Sequence, residues 1–359
     1  MVTSTRRPLR PIVAVLGLLL AVALVVAGGL IDPDRTVHPD AASASGCPVE
    51  PDTSVTTTAR IAWQPVANGD LVVKDKNWLA SCLPNATIHW AKMSSGGDVL
   101  QAFGARSIDI AQVGSSPTVK GVSAPLDLDL QIVWLHDVIG KAESLVVRES
   151  SVTDLAGLSG KTVATPFGST AHFSLMEALR QAELTSKVKL VNLAPDAMLG
   201  AWQRDEIDAA WVWDPTLTSL LGDGGHVIMS SADTAEAGAP TFDLEAATRE
   251  FATGNAAFMT MWTKLQAQAA KIMNDEPDEA AAALAVQLGI TAEEAEAQFP
   301  GYTYLTASDQ LGAEYYGGKL PDVLLDTATF LKNQGTITAV GTEAHYADVP
   351  NSTYIKELS

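Results

Sequence analysis

The sequence predicts an α/β protein of two lobes, and three observations lead there. From residue 59 onward, short β-like runs alternate with helix-like runs. Polar turns follow several of the β-like runs, and the chain from about residue 248 is mostly helical. Such alternation is the pattern of parallel sheets with helices on both faces. At 359 residues, with 47% hydrophobic, the chain has room for two packed cores.

The elements follow in order. ARIAWQ (59–64) reads as a strand, LVVKDKNWLASC (71–82) has helical spacing, ATIHWAK (86–92) is a strand and DVLQAFGA (98–105) a helix. IDIAQV (108–113) and LDLQIVWL (128–135) read as strands. A second set starts at ESLVVRE (143–149). KTVATP (161–166) precedes a helix capped by Ser169, and KVKLVNL (187–193) precedes the helix DAMLGAWQRD (196–205). IDAAWVW (207–213) leads to the helix PTLTSLLGDG (215–224), and HVIMS (226–230) closes the set. In open α/β sheets, ligands bind beyond the carboxyl ends of strands. SSGG (94–97), GSSP (114–117), GST (168–170) and Asp214-Pro215 all follow strands, so these turns are the candidate site.

A net charge of −19 argues against nucleic-acid partners and against binding to anionic membrane surfaces. The N-terminus is the exception to this soluble character. A basic flank (5–11) precedes twenty uncharged residues (12–31), longer than the usual signal core of about 7–15 and at the length of about 20 that spans a bilayer. The positive flank keeps the N-terminus inside and exports the rest of the chain. A cleaved signal and a retained anchor both fit; Cys47 after ASG offers a lipidation alternative, and Arg6-Arg7 a weak twin-arginine signal. The stretch 32–57, rich in Asp, Pro, Ser, Thr and Ala, reads as a flexible tether. The two cysteines, Cys47 and Cys82, are either one bridge in an oxidising compartment or two free thiols.

The stretch VATPFGSTAHFSLMEAL (163–179) crowds donors at a helix start. With Ser169 as N-cap, the free amides of the first turn carry partial positive charge, and Thr170 and His172 add side-chain donors. This suits an oxyanion such as a sulfonate, phosphate, carboxylate or nitrate. Ser115 and Ser116 form a second such start. Two facing sets of neutral donors would replace an anion's hydration shell, whose loss otherwise costs several kcal/mol. The plainer reading is that each Ser or Thr is only a cap. LAGLSGKT (155–162) resembles a phosphate loop, but Leu155 stands where the first Gly belongs and Lys161 opens a strand, so it is rejected. The six histidines are scattered, no pair has metal-ligand spacing, and no cofactor is expected. No nucleophile elbow of the G-x-S-x-G type accompanies His172.

KMSSGGDVLQAF, IDIAQVGSSP, ESLVV, GKTVATPFGSTAHFSLMEAL, VNLAPDAMLGAWQRDEIDAAWVW, GAPTFD, YTYLT and DTATFLKNQG run in order over about residues 60–340. Together they resemble the taurine-binding proteins of ABC importers, within the aliphatic-sulfonate and nitrate family. The resemblance implies a type II periplasmic-binding-protein fold, with a ligand cleft and two hinge crossings near 143–147 and 243–247. The implied division is a signal or anchor segment at 1–31, the tether at 32–57, one lobe from 58–142 plus 244–359, and the other from 143–243. Carried over, Ser115, Ser116, Ser169, Thr170 and His172 resemble a sulfonate clamp. Asp243 matches an ammonium-binding aspartate, Glu143 is a second candidate acid, and Trp213 and Gln64 resemble cleft walls. Asp214 stands where the family more often has a small residue; it strengthens ammonium binding, repels a sulfonate, or caps the next helix. His136 and Asp137 add charge the family carries less often, and LEAATRE (244–250) is poor in β-formers for a crossing strand.

The expected function is an exported solute-binding protein that delivers taurine or a related sulfonate to an ABC permease. Its membrane contact runs through the N-terminal segment only. The alternatives are an alkanesulfonate, nitrate or pyrimidine-precursor binding protein, an enzyme on the same scaffold, and a sensor ectodomain.

Overall fold

The computed structural model describes residues 46–358. The apolar segment 12–31 and most of the tether lie outside the described residues, and the signal and anchor readings with them. Among the described residues, no helix is long and apolar enough to cross a membrane.

Two sheets organise the chain. The first is built from β1 (Thr58–Trp63), β2 (Thr87–Lys92), β3 (Ile110–Gly114), β4 (Leu130–Ile139), β10 (Phe242–Thr248) and β11 (Tyr302–Tyr304), in the order β11-β4-β10-β3-β1-β2. The second is built from β5 (Glu143–Val147), β6 (Thr162–Thr165), β7 (Lys189–Asn192), β8 (Ala209–Trp213) and β9 (His226–Ser230), in the order β7-β6-β8-β5-β9. Both orders follow one scheme. A strand arriving from the other sheet, β10 or β5, is inserted beside the third strand of the set. This is the two-lobed type II arrangement.

The sheets are mixed, not parallel throughout as alternation alone suggests. β1–β2, β1–β3, β6–β7 and β6–β8 are parallel. β10 is antiparallel to β3 and β4, and β5 is antiparallel to β8 and β9. The inserted strands enter from the opposite lobe and so run against their neighbours. β10 forms despite its weak β propensity because it lies between two strands, where Leu244, Ala246 and Ala247 are fully buried. Burial in a central strand overrides intrinsic preference.

The helices that shape the cleft are α1 (Gly69–Asp75), α2 (Trp78–Cys82), α3 (Gly96–Gly104), α4 (Ser115–Val122), α5 (Thr170–Gln181), α6 (Pro195–Gln203), α7 (Thr216–Gly222) and α8 (Ser231–Glu236). α9 (Arg249–Gly254), α10 (Ala256–Asp275) and α11 (Pro277–Leu288) follow β10. The run 71–82 is broken into α1 and α2 at Asn77, which takes the left-handed conformation (φ 51°) that Asn tolerates better than most residues. Cys47 and Cys82 are disulfide-bonded, which ties the start of the described chain to the end of α2. A sulfur in that bond is not free for lipidation. Trp134, Trp202, Trp211 and Trp262 are among the largest fully buried side chains. Each Leu or Ile buried beside them contributes about 1.5–3 kcal/mol.

Candidate functional site

Between the carboxyl ends of the two sheets lies a narrow cleft, partly open to solvent. Gln64, Gly114, Pro117, Asp243 and Tyr302 come from the first sheet and the segments that follow its strands, and Glu143, Ser169, Thr170 and Trp213 from the second. The two lobes are in contact around it. A Cβ placed on Gly114 would lie 2.6 Å from Thr170 Cγ2. Phe173 of α5 meets Phe330 edge-on, with ring centroids 4.6 Å apart.

The start of α5 forms as its sequence suggests. Ser169 is the N-cap: its Oγ accepts from the His172 amide at 3.1 Å and donates to the Pro166 carbonyl at 2.7 Å. Thr170 Oγ1 donates to Glu143 Oε1 at 2.6 Å, and Ser231 Oγ, at the start of α8, donates to Glu143 Oε2 at 2.8 Å. The protein's own carboxylate therefore occupies the place read from sequence as an anion site. Both hydroxyl protons of the Ser169-Thr170 pair are committed internally. Burial raises the Glu143 carboxyl to about 8, against the lowering effect of the Thr170 and Ser231 hydroxyls.

Glu143 belongs to a group of buried acids. Asp243, on β10, pairs with Asp137 of β4 on one side and with Gly114 of β3 on the other. Its Oδ1 accepts from Gln112 Nε2 at 2.8 Å, and Gln112 Oε1 in turn accepts from Gln64 Nε2 at 2.9 Å. Burial raises Asp243 to about 7. Asp137 is fully buried, and neither of its carboxylate oxygens has a hydrogen-bond partner. Burial pushes its carboxyl well above the usual range, and Asp243 and Glu143 push it further. The phenols of Tyr302 and Tyr304 are likewise raised by burial and by these acids. Among the described residues, no basic side chain is hydrogen-bonded to any of these three buried carboxyls, an arrangement whose negative charge a cation could offset.

The start of α4 is arranged differently from that of α5. Its N-cap is Gly114, and no side chain caps the helix. Helix geometry leaves the amides of Ser115 and Ser116 without intrahelical acceptors. Ser115 Oγ accepts from the Phe242 amide at 3.2 Å, which leaves the serine's own proton available. Pro117, next in line, has no amide to add.

Six of the ten residues singled out from sequence line the cavity: Gln64, Glu143, Ser169, Thr170, Trp213 and Asp243. Ser115 and Ser116 are buried between Gly114 and Pro117, which line the cavity, but are not themselves among the lining residues. His172 is not among the lining residues. Its Nδ1 accepts from the Gly168 amide, its ring stacks on Phe167, and burial and the nearby Lys120 lower it to about 4. Asp214 precedes the N-cap of α7, Pro215, and accepts from the Thr218 amide and hydroxyl at 2.9 and 2.5 Å. Sequence reading missed Gln112, Asp137, Ser231 and Tyr302 as members of the site. YTYLT is visible in the sequence, but nothing in it indicates that β11 returns to β4.

Residues 83–282 match the family described as the substrate binding domain of ABC-type glycine betaine transport system, more than half of the chain. The chain is 31% identical over 303 residues to the taurine-binding periplasmic protein of Escherichia coli (strain K12), covering 82% of this chain and 92% of that protein. The alkanesulfonate-binding protein from Xanthomonas axonopodis pv. citri bound to MOPS superposes with a TM-score of 0.68 at 20% identity, over 85% of this chain and 100% of that one. The periplasmic aliphatic sulphonate binding protein from Escherichia coli does so at 0.68 and 24% identity, over 82% and 93%. At these identities the two superpositions speak to the fold.

Proposed function

The chain belongs to the family of substrate-binding proteins of ABC-type transport systems, and on that footing we propose that its ligand is taurine or a closely related amino-sulfonate. The observation that carries this reading is the pairing of Asp243 with Gly114. Gly114 opens α4, so an acidic side chain and an uncapped helix start are neighbours across one antiparallel step, about 5 Å between backbones. A ligand that uses both must carry a cation and an anion a short distance apart. Taurine has two carbons between its ammonium and its sulfonate.

In this reading the sulfonate takes the amides of Ser115 and Ser116, with the serine hydroxyls adding donors. The ammonium lies against Asp243, with Glu143 as the second acid from the facing lobe. Trp213 and Gln64 wall the short carbon chain. Thr170 and Ser169 act one step back by orienting Glu143 and the start of α5. His172 supports the turn before that helix. Closure of the lobes then removes the ligand from water, which strengthens each of these interactions.

No step in this scheme makes or breaks a bond: the protein acts as an exported carrier that presents its ligand to a permease. The apolar N-terminal segment would serve as signal or anchor for that export. The Cys47–Cys82 bridge fits an oxidising compartment.

Calorimetry with taurine, ethanesulfonate and glycine betaine tests the ligand. A primary ammonium can donate to Asp243 and Glu143, whereas the quaternary ammonium of glycine betaine cannot, and ethanesulfonate has no cation. Taurine should therefore bind more tightly than either. Equal binding of ethanesulfonate would remove the role given to the acids. Tighter binding of glycine betaine would shift the site toward cation–π recognition by Trp213 and Tyr302.

A further inference from the structure

Within the first lobe, three buried side chains that the cleft does not use come together. Asp70 in the first turn of α1, His136 on β4 and Glu245 on β10 offer ligand atoms that all lie within 4.8 Å of one another. Their exposures are 0%, 3% and 0%. His136 Nε2 is 3.0 Å from Glu245 Oε2, and Gln266 Nε2 on α10 donates to Asp70 Oδ1 at 2.6 Å. No lysine or arginine contacts either carboxylate among the described residues. Asp70 Oδ2, Glu245 Oε1 and Gln266 Oε1 are buried with no donor group aimed at them, and the two carboxyls interact with each other. Buried oxygens left in this way are costly and call for a positive charge or a proton.

Two local features set the cluster up. In the β4–β10 ladder, Asp243 faces Asp137 and Leu244 faces Leu135, so His136 is the extra residue of a bulge. A bulge re-aims the side chain it displaces. At the start of α1, a Cβ on Gly69 would fall 2.8 Å from Gln266 Oε1 and 3.7 Å from His136 Nδ1. The missing side chain lets α1 approach Gln266 and the Nδ1 edge of His136 closely, while Nε2 faces Glu245.

We propose that Asp70, His136 and Glu245 hold one divalent transition-metal cation, zinc by preference, with the Gln266 side-chain oxygen beside it, as a structural site that joins α1, β4, β10 and α10. The charges balance: two carboxylates and a neutral imidazole offset a dication. One nitrogen and two or three oxygens at this spacing suit zinc or manganese, whereas magnesium demands a near-ideal octahedron of oxygens and retains its waters. The rival arrangement is a proton shared by Asp70 and Glu245. It would occupy the Asp70 and Glu245 oxygens without a metal, and metal content separates the two readings. The scattered histidines concealed the site, because its members come from distant parts of the chain (His136 and Glu245 are 109 residues apart).

Metal content of the untagged exported chain, purified without chelator, is the test. Elemental analysis should find about one zinc or manganese per chain in the wild type, falling at least tenfold in His136→Asn and Glu245→Gln. Wild-type protein stripped with a chelator gives a reading that does not depend on the variants folding. Adding ZnCl2 at roughly 100 times its dissociation constant should raise the melting temperature by about 5 °C, and MgCl2 should not. Wild type isolated without stoichiometric metal, with a melting temperature indifferent to ZnCl2 and MnCl2, would overturn the metal site and leave the shared proton. Both readings are taken without taurine, so they stand apart from the outcome of the ligand experiments.

Discussion

Gly114 and Thr170 face each other across the cleft so closely that a methyl group on the glycine would lie 2.6 Å from the threonine Cγ2. Thr170 cannot easily turn aside, since its hydroxyl is bound to Glu143 at 2.6 Å. The contact ties the start of α4 to the start of α5. It requires a residue without a side chain on the first-lobe side.

Gly114→Ala should therefore oppose closure while leaving each lobe folded. Overpacking of this kind costs about 1–3 kcal/mol, which corresponds to a loss of roughly 5- to 150-fold in ligand affinity by calorimetry. Unchanged affinity would mean that the lobes do not come this close in the liganded protein.

The Glu143 carboxyl is pushed up to about 8 by burial, from an ordinary value of 4.5. The folded protein thus holds a proton that the unfolded chain releases. That contribution to stability is complete below about pH 4.5 and is lost as the pH rises toward about 8, by at most about 1.4 kcal/mol per pH unit. Asp243 and Asp137, which face Glu143, and the Tyr302 phenol near them hold the same sign. Urea melts of the ligand-free protein at several pH values should show this decline, and Glu143→Gln should make it shallower while the other buried acids keep part of it. A stability that rises between pH 5 and 8 in the wild type, with no change in the variant, would contradict the assignment.

The Cys47–Cys82 bridge closes a sequence separation of 35 residues. In the chain-entropy model, reduction should cost about 3–4 kcal/mol, read as a lower urea midpoint. An unchanged midpoint after reduction would show that the N-terminal strap adds nothing to the stability of α2 and its surroundings.

Much of this fold is legible from residue patterns, and the reasons it stops being so are local. Ser169 is readable as a cap because a cap is defined within a few residues of its helix. The strand runs before GSSP and GST are readable because alternation is also local. The antiparallel insertion of β10 is not, since LEAATRE carries little β preference and its place is set by β3 and β4. The partner of the Thr170 hydroxyl is not legible for a related reason. A hydroxyl at a helix start looks free until Glu143, 27 residues earlier, is brought onto it. Asp137 looks like an excess charge because its neighbours Asp243 and Glu143 come from another strand and another lobe.

The proposed zwitterion site is tested most directly by crossing the ligand's ammonium with Asp243 in a double-mutant cycle. Taurine and ethanesulfonate are titrated against the wild type and against Asp243→Asn. Removing one partner of a buried charged pair costs about 2–5 kcal/mol, so the variant should lose roughly 30-fold or more for taurine. Ethanesulfonate should bind the two proteins alike, giving a large coupling energy. Equal losses for both ligands, or none for either, would contradict an ammonium held by Asp243.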